Sequence, residues 1–211
     1  MGLEKRETEP LSVSTLHFLI HPGFATRAGV DSVDVKSLQL LDRQAEVFER
    51  LGPDEVVIAI LDENFAQLMD DVRAQEQYIQ KLKAMKQVLG RRMIVMSDKT
   101  KSWPYISTNA RAQETFTTQI QGLLQVRNFV FDPASVQSFA YGLYAEACVL
   151  DGALFLRENL GLSLPTRLIL ELTDLYPDDL QFVPDPVTHQ FLEGRVALAS
   201  QDDKERYGII D

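Results

Sequence analysis

A three-layer, Rossmann-like α/β domain with a mostly parallel sheet of about five strands is the fold this sequence predicts. Three observations predict it. Short apolar, β-branched runs recur at residues 16–20, 56–61, 93–96, 129–131 and 168–172. Four of the five are followed at once by a polar loop and an amphipathic or apolar helix, the alternation that builds parallel strands through right-handed crossovers. Nearly every run ends on a residue able to do chemistry: His21, Asp62, Asp98, Asp132 and, one residue further on, Asp174. Open α/β sheets bind ligands outside the carboxyl ends of their strands, so these residues mark a candidate rim.

Residues 1–13 are mostly charged and polar and read as a lead-in; 14–175 read as the α/β domain and 176–211 as a C-terminal segment packed on it. In the first run Leu16, Phe18 and Ile20 alternate with Leu19, and His21-Pro22-Gly23 breaks the strand. Val35, Leu38, Leu41, Ala45 and Phe48 follow at helical spacing, stopped by Gly52-Pro53. Residues 56–61 are six apolar residues in a row, the mark of a strand covered on both faces. Asp62-Glu63-Asn64 can cap the next helix, whose apolar stripe runs from Phe65 to Leu89, with acids early and lysines late to suit its dipole. Gly90 ends that helix. The connection from Ser97 to Asn109 holds Asp98, Lys99, Lys101, Trp103 and Tyr105, and a loop of this length is expected to carry function. A helix over 110–125 leads into the fourth run. Asp132-Pro133 then reads as an N-cap with a first-turn proline, opening a long helix to Asn159. Three prolines make the segment from Tyr176 mostly irregular, with a short strand at 196–198.

The chain of 211 residues carries a net charge of −10, with 45% hydrophobic and 25% charged residues. That acidity, with no Lys/Arg cluster, argues against binding to nucleic acid or anionic membranes. A single cysteine allows no internal disulfide and points to a reducing compartment. No apolar segment follows a basic start, so the expectation is a cytoplasmic protein without a signal peptide. The apolar stretch 136–156 is interrupted by Glu146 and Asp151 and reads as a buried helix rather than a membrane span.

Two constellations carry chemistry directly. Asp62, Asp132 and Asp174, with Glu63 and Asp98 beside them, supply hard oxygen ligands for Mg²⁺ or Mn²⁺; such an ion polarises a phosphoryl group or activates water. In this reading His21 and Asp98 are the general acid–base residues, and Gly23, Lys99, Lys101 and Trp103 contact the ligand. Gly23 and Gly29 let backbone approach a ligand, although neither a GxGxxG nor a Walker sequence is present. The bland alternative makes Asp62 and Asp132 helix caps and Gly23 a turn residue.

The string Gly142-Leu-Tyr-Ala-Glu-Ala-Cys148-Val149 resembles the glycine-to-cysteine motif of the isochorismatase-like cysteine hydrolases. The resemblance implies a nucleophilic Cys148 at the start of a helix, aided by an aspartate and a lysine. Lys99 and Lys101 stand in the corresponding part of the chain, whereas Ile20-His21 occupies the place of the family's aspartate. Read from periodicity alone, Val136, Phe139, Ala140, Leu143, Ala147, Leu150 and Leu154 run at helical spacing through the cysteine, making it a small core residue. Small residues along that helix suit close packing on the sheet or across a homo-oligomer interface.

The leading expectation is a domain that binds a small polar or phosphorylated ligand at the rim, with a metal-dependent hydrolase as its enzymatic form. A non-catalytic interaction or scaffold protein and a cysteine hydrolase are the alternatives.

Overall fold

Six apolar residues in a row from Val56 leave a strand no polar side to turn to water, so both of its faces must be covered. The computed structural model, which describes residues 9–23, 33–62, 71–98, 110–142, 148–173 and 194–209, meets that demand with helices on both faces of a parallel sheet. The strands are β1 (Leu11–Ser12), β2 (Thr15–Ile20), β3 (Glu55–Asp62), β4 (Met93–Asp98), β5 (Phe129–Val130), β6 (Gln137–Gly142), β7 (Thr166–Thr173) and β8 (Val196–Leu198). The helices are α1 (Val33–Phe48), α2 (Val72–Leu89), α3 (Ala110–Val126), α4 (Leu150–Asn159) and α5 (Gln201–Arg206).

The main sheet has six strands in the order β4-β3-β2-β6-β7-β8, and every pairing in it is parallel. Counted along the chain within this sheet the order is 3-2-1-4-5-6, that of doubly wound Rossmann-like folds. Strand parity sorts the core into two layers. Leu16, Phe18 and Ile20 of β2 pack with Val56, Ile58 and Ile60 of β3 against Phe116, Ile120 and Leu124 of α3 and Ala153 and Leu156 of α4. Leu19, Val57, Ala59, Phe139 and Tyr141 face Leu41 and Phe48 of α1, Tyr78 and Met85 of α2, and Tyr207 just after α5. Among the described residues no helix is long and apolar enough to cross a membrane.

The sequence expectation fails at one place, with several consequences. Residues 137–142 are a central strand, not part of a helix reaching from Asp132 to Asn159. Phe139 and Tyr141 point to one core layer and Ala140 to the other, the period of two that a strand buried on both faces requires. Asp132 therefore caps a turn. Its carboxylate accepts from the Ala134 N–H at 3.0 Å and the Ser135 hydroxyl at 2.8 Å, and its carbonyl accepts from Val136 N–H at 2.9 Å. The run at 129–131 does hold a strand, but β5 pairs with β1 rather than entering the main sheet. Leu11 and Ser12 thus form part of the fold, although residues 1–13 read as a lead-in. The C-terminal segment adds β8 at the far edge, beside β7.

Candidate functional site

In this strand order the chain leaves β2 toward β3 on one side and reaches β6 on the other. The crevice outside the carboxyl ends of β2 and β6 is the topological switch point. Ile20 and Gly142 are register partners there. A Cβ on Gly142, whose φ is 144°, would lie 1.7 Å from the Ile20 carbonyl oxygen, so only glycine lets the strands close at this point. Gly152 on α4 also packs closely here, with the end of the Ile20 side chain 2.9 Å from the position of a Cβ.

His21 follows β2 directly. It is buried, adopts φ +50°, and its N–H donates to the Ile60 carbonyl of β3 at 2.8 Å. A non-glycine residue in the left-handed region costs free energy that surrounding contacts must offset, and such residues cluster at functional sites. The contacts are present. Tyr78 Oη of α2 donates to the Pro22 carbonyl at 2.6 Å. The Gly23 N–H donates to Gln44 Oε1 at 2.8 Å, while Gln44 Nε2 donates to the Leu172 carbonyl of β7 at 2.9 Å. Gln44 is fully buried on α1 and ties the end of β2 to the end of β7 across the end of β6. Gly23 has φ +60°, and a Cβ there would meet Leu41 Cβ at 2.4 Å.

Of the residues singled out in the sequence, His21, Gly23, Asp62 and Asp98 lie at this carboxyl edge. Asp62 and Asp98 end β3 and β4 and are register partners. Asp132 does not join them. It precedes β6 and lies with Ser14, Thr15 and Ser135 around a cavity of about 380 Å³ at the opposite, amino edge. There the N–H of Ala134 and the hydroxyl of Ser135 hold its exposed carboxyl below the usual carboxylate range. The metal set of Asp62, Asp132 and Asp174 is thereby divided, because the expected helix after Asp132 is a turn feeding the amino end of a strand. Lys99, Lys101, Trp103 and Asp174 lie outside the described residues. Among the described residues no three His, Cys, Asp or Glu side chains converge as a metal site.

Cys148 changes its place with the reassignment of β6. It lies in a helical turn, Cys148-Val149, that runs directly into α4, whose Gly152 packs on the end of β2. It is partly buried against the core layer of α3 and α4.

Gln44 and Tyr78 escaped the sequence reading. Gln44 stands three residues after Leu41 and four before Phe48, a polar residue on the apolar stripe of α1, and that interruption was the available signal. Comparison with family models, with curated proteins and with solved structures gives no match to this chain.

Proposed function

We propose that this protein binds a small polar ligand, phosphorylated in its simplest form, in the crevice outside β2 and β6. The single observation supporting this is the 3-2-1-4-5-6 strand order, whose switch point coincides with a strained, buried histidine and an obligatory glycine. Asp62 and Asp98 on neighbouring strand ends supply two carboxylates, a number that suits Mg²⁺ or Mn²⁺ held jointly with ligand phosphates and water. A metal so held would polarise a phosphoryl group. Calorimetric titration with pyrophosphate in the presence of Mg²⁺ or Mn²⁺ tests this. Saturable heat is expected, lost in Asp62→Asn and Asp98→Asn and kept in Asp132→Asn. No heat with the unaltered protein, or equal loss in Asp132→Asn, would remove the reading.

The position of Cys148 in the helical turn entering α4, the helix whose Gly152 packs on the end of β2, favours a second reading, a thiol hydrolase using the same crevice. The Cys148 thiolate would attack a substrate carbonyl carbon, the leaving group would depart with a proton delivered by His21, and water would cleave the thioester and restore the thiol. Rapid alkylation of Cys148 by iodoacetamide at pH 7, slowed in His21→Ala, is the expected result. Alkylation slower than that of a free thiol would exclude this chemistry.

A further inference from the structure

A histidine inside a parallel strand must find partners on neighbouring elements, because water reaches neither ring nitrogen. His17 of β2 is fully buried. On one side Glu55, the first residue of β3, brings Oε2 to 3.4 Å from Nε2. On the other, Tyr141 Oη of β6 lies 3.3 Å from Nδ1. The rings of Phe139 and Tyr207 pack on the imidazole at 5.5 and 5.1 Å. Glu55 is as buried as His17, and its other oxygen receives the guanidinium of Arg206, the last residue of α5, with Tyr207 Oη at 3.5 Å. One buried carboxylate thus serves two side chains able to carry positive charge.

The rest of α5 is also held by charge. Asp203 pairs with Arg167 of β7 at 2.6 Å, and Lys204 pairs with Glu171 of β7. At neutral pH burial holds the imidazole below its ordinary titration range, against the pull of Glu55, so Arg206 is, among the described residues, the one cation on that carboxylate. A proton on His17 sets two cations against a single buried anion. His17 is enclosed in the strand and cannot leave, whereas the Arg206 side chain is 48% exposed and can swing into water.

We propose that His17, Glu55 and Arg206 form an acid-sensitive latch that releases α5 from the sheet when His17 gains a proton. The sign follows from linkage. The docked state holds the imidazole below its ordinary value, and release, which removes the Arg206 charge and the Tyr207 ring from it, moves it back toward that value. Docking is therefore at full strength above about pH 6.5 and weakens as pH falls below it, by at most about tenfold per unit.

Hydrogen exchange, corrected for the intrinsic chemical rate, tests the latch on the full chain. Between pH 7.5 and 5.5 the amides of residues 201–209 should lose protection, by up to about tenfold, while those of β2 stay constant. In His17→Gln the protection should be independent of pH over the same range. Constant protection in the unaltered protein, or an equal loss in both proteins, would overturn the proposal. Arg206→Gln provides an independent reading should His17→Gln already loosen α5 at pH 7.5. Removing the competing cation should raise the NMR titration midpoint of His17, and an unchanged midpoint would count equally against the latch.

Discussion

Replacing Gly142 by alanine is expected to remove about 4 kcal/mol or more of folding free energy, enough to unfold many domains outright. Two effects combine. The residue sits at φ 144°, where an L side chain is strained, and its Cβ would meet three backbone atoms of Ile20 at 1.7, 2.7 and 2.9 Å. Backbone cannot swing aside as a flexible side chain can, so β2 and β6 would have to part at the very place where their ends define the crevice. Gly90→Ala provides the comparison. Gly90 also has a positive φ, 55°, but nothing lies within 4 Å of its Cβ position, so only the conformational cost of about 1 kcal/mol applies. Urea unfolding of the two variants measures the difference. Similar midpoints would mean that β2 and β6 do not meet at this register.

The glycine also shows where the sequence was readable and where it was not. Residues 56–61 could be read as a strand because an uninterrupted apolar run has only one fate in a three-layer fold, burial on both faces. Residues 137–142 are just as buried, yet they escaped recognition. Val136, Phe139 and Ala140 satisfy helical spacing, while Phe139 and Tyr141 satisfy the strand period, and a run of six residues is too short for either pattern to exclude the other. Small residues such as Ala140 and Gly142 suit a closely packed helix as well as a crowded strand. That one ambiguity sent Asp132 to the wrong edge of the sheet and carried the helix that holds Cys148 back through a strand. His21 and Gly23 were legible because Pro22 and Gly23 break an alternating strand abruptly. The Gln44 clamp was legible only as a polar gap in a helical stripe. The partnership of His17 with Glu55 and Arg206 joins residues from three distant parts of the chain, and no local pattern announces it.

Removing the buried carboxylate of Glu55 is expected to have the second largest effect. Glu55→Ala leaves His17, Tyr207 and Arg206 without their shared acceptor and should cost about 3 kcal/mol at pH 7, at the lower end for breaking a buried pair because Arg206 can reach water. The pH dependence is distinctive. Burial pushes the Glu55 carboxyl up, but hydrogen bonding and charge attraction from His17, the Arg206 charge and the Gly52 backbone together hold it below its ordinary value of 4.5. A carboxyl depressed in the folded state contributes stability that is complete above that value and lost as pH falls through it. The unaltered protein should therefore lose this contribution below about pH 4.5. The acid limb of stability against pH should be shallower in Glu55→Ala. Chemical denaturation from pH 3 to 8 measures both quantities. Equal stability at pH 7 would mean that Glu55 is solvated and that α5 is held by packing alone.

The gathering of the β2 and β6 ends with Cys148 at one edge, and of Asp132 at the other, is most directly tested by a nitroxide attached to Cys148, the single cysteine of the chain. Six-residue strands separate the two edges by about 20 Å. Paramagnetic broadening of backbone amide signals should be strong at Ile20, His21, Gly23 and Gly142 and weak at Ser14, Thr15, Ala134 and Ser135. Strong broadening at Ala134 and Ser135 with sharp signals at His21 and Gly23 would contradict the parallel order and the crevice built on it.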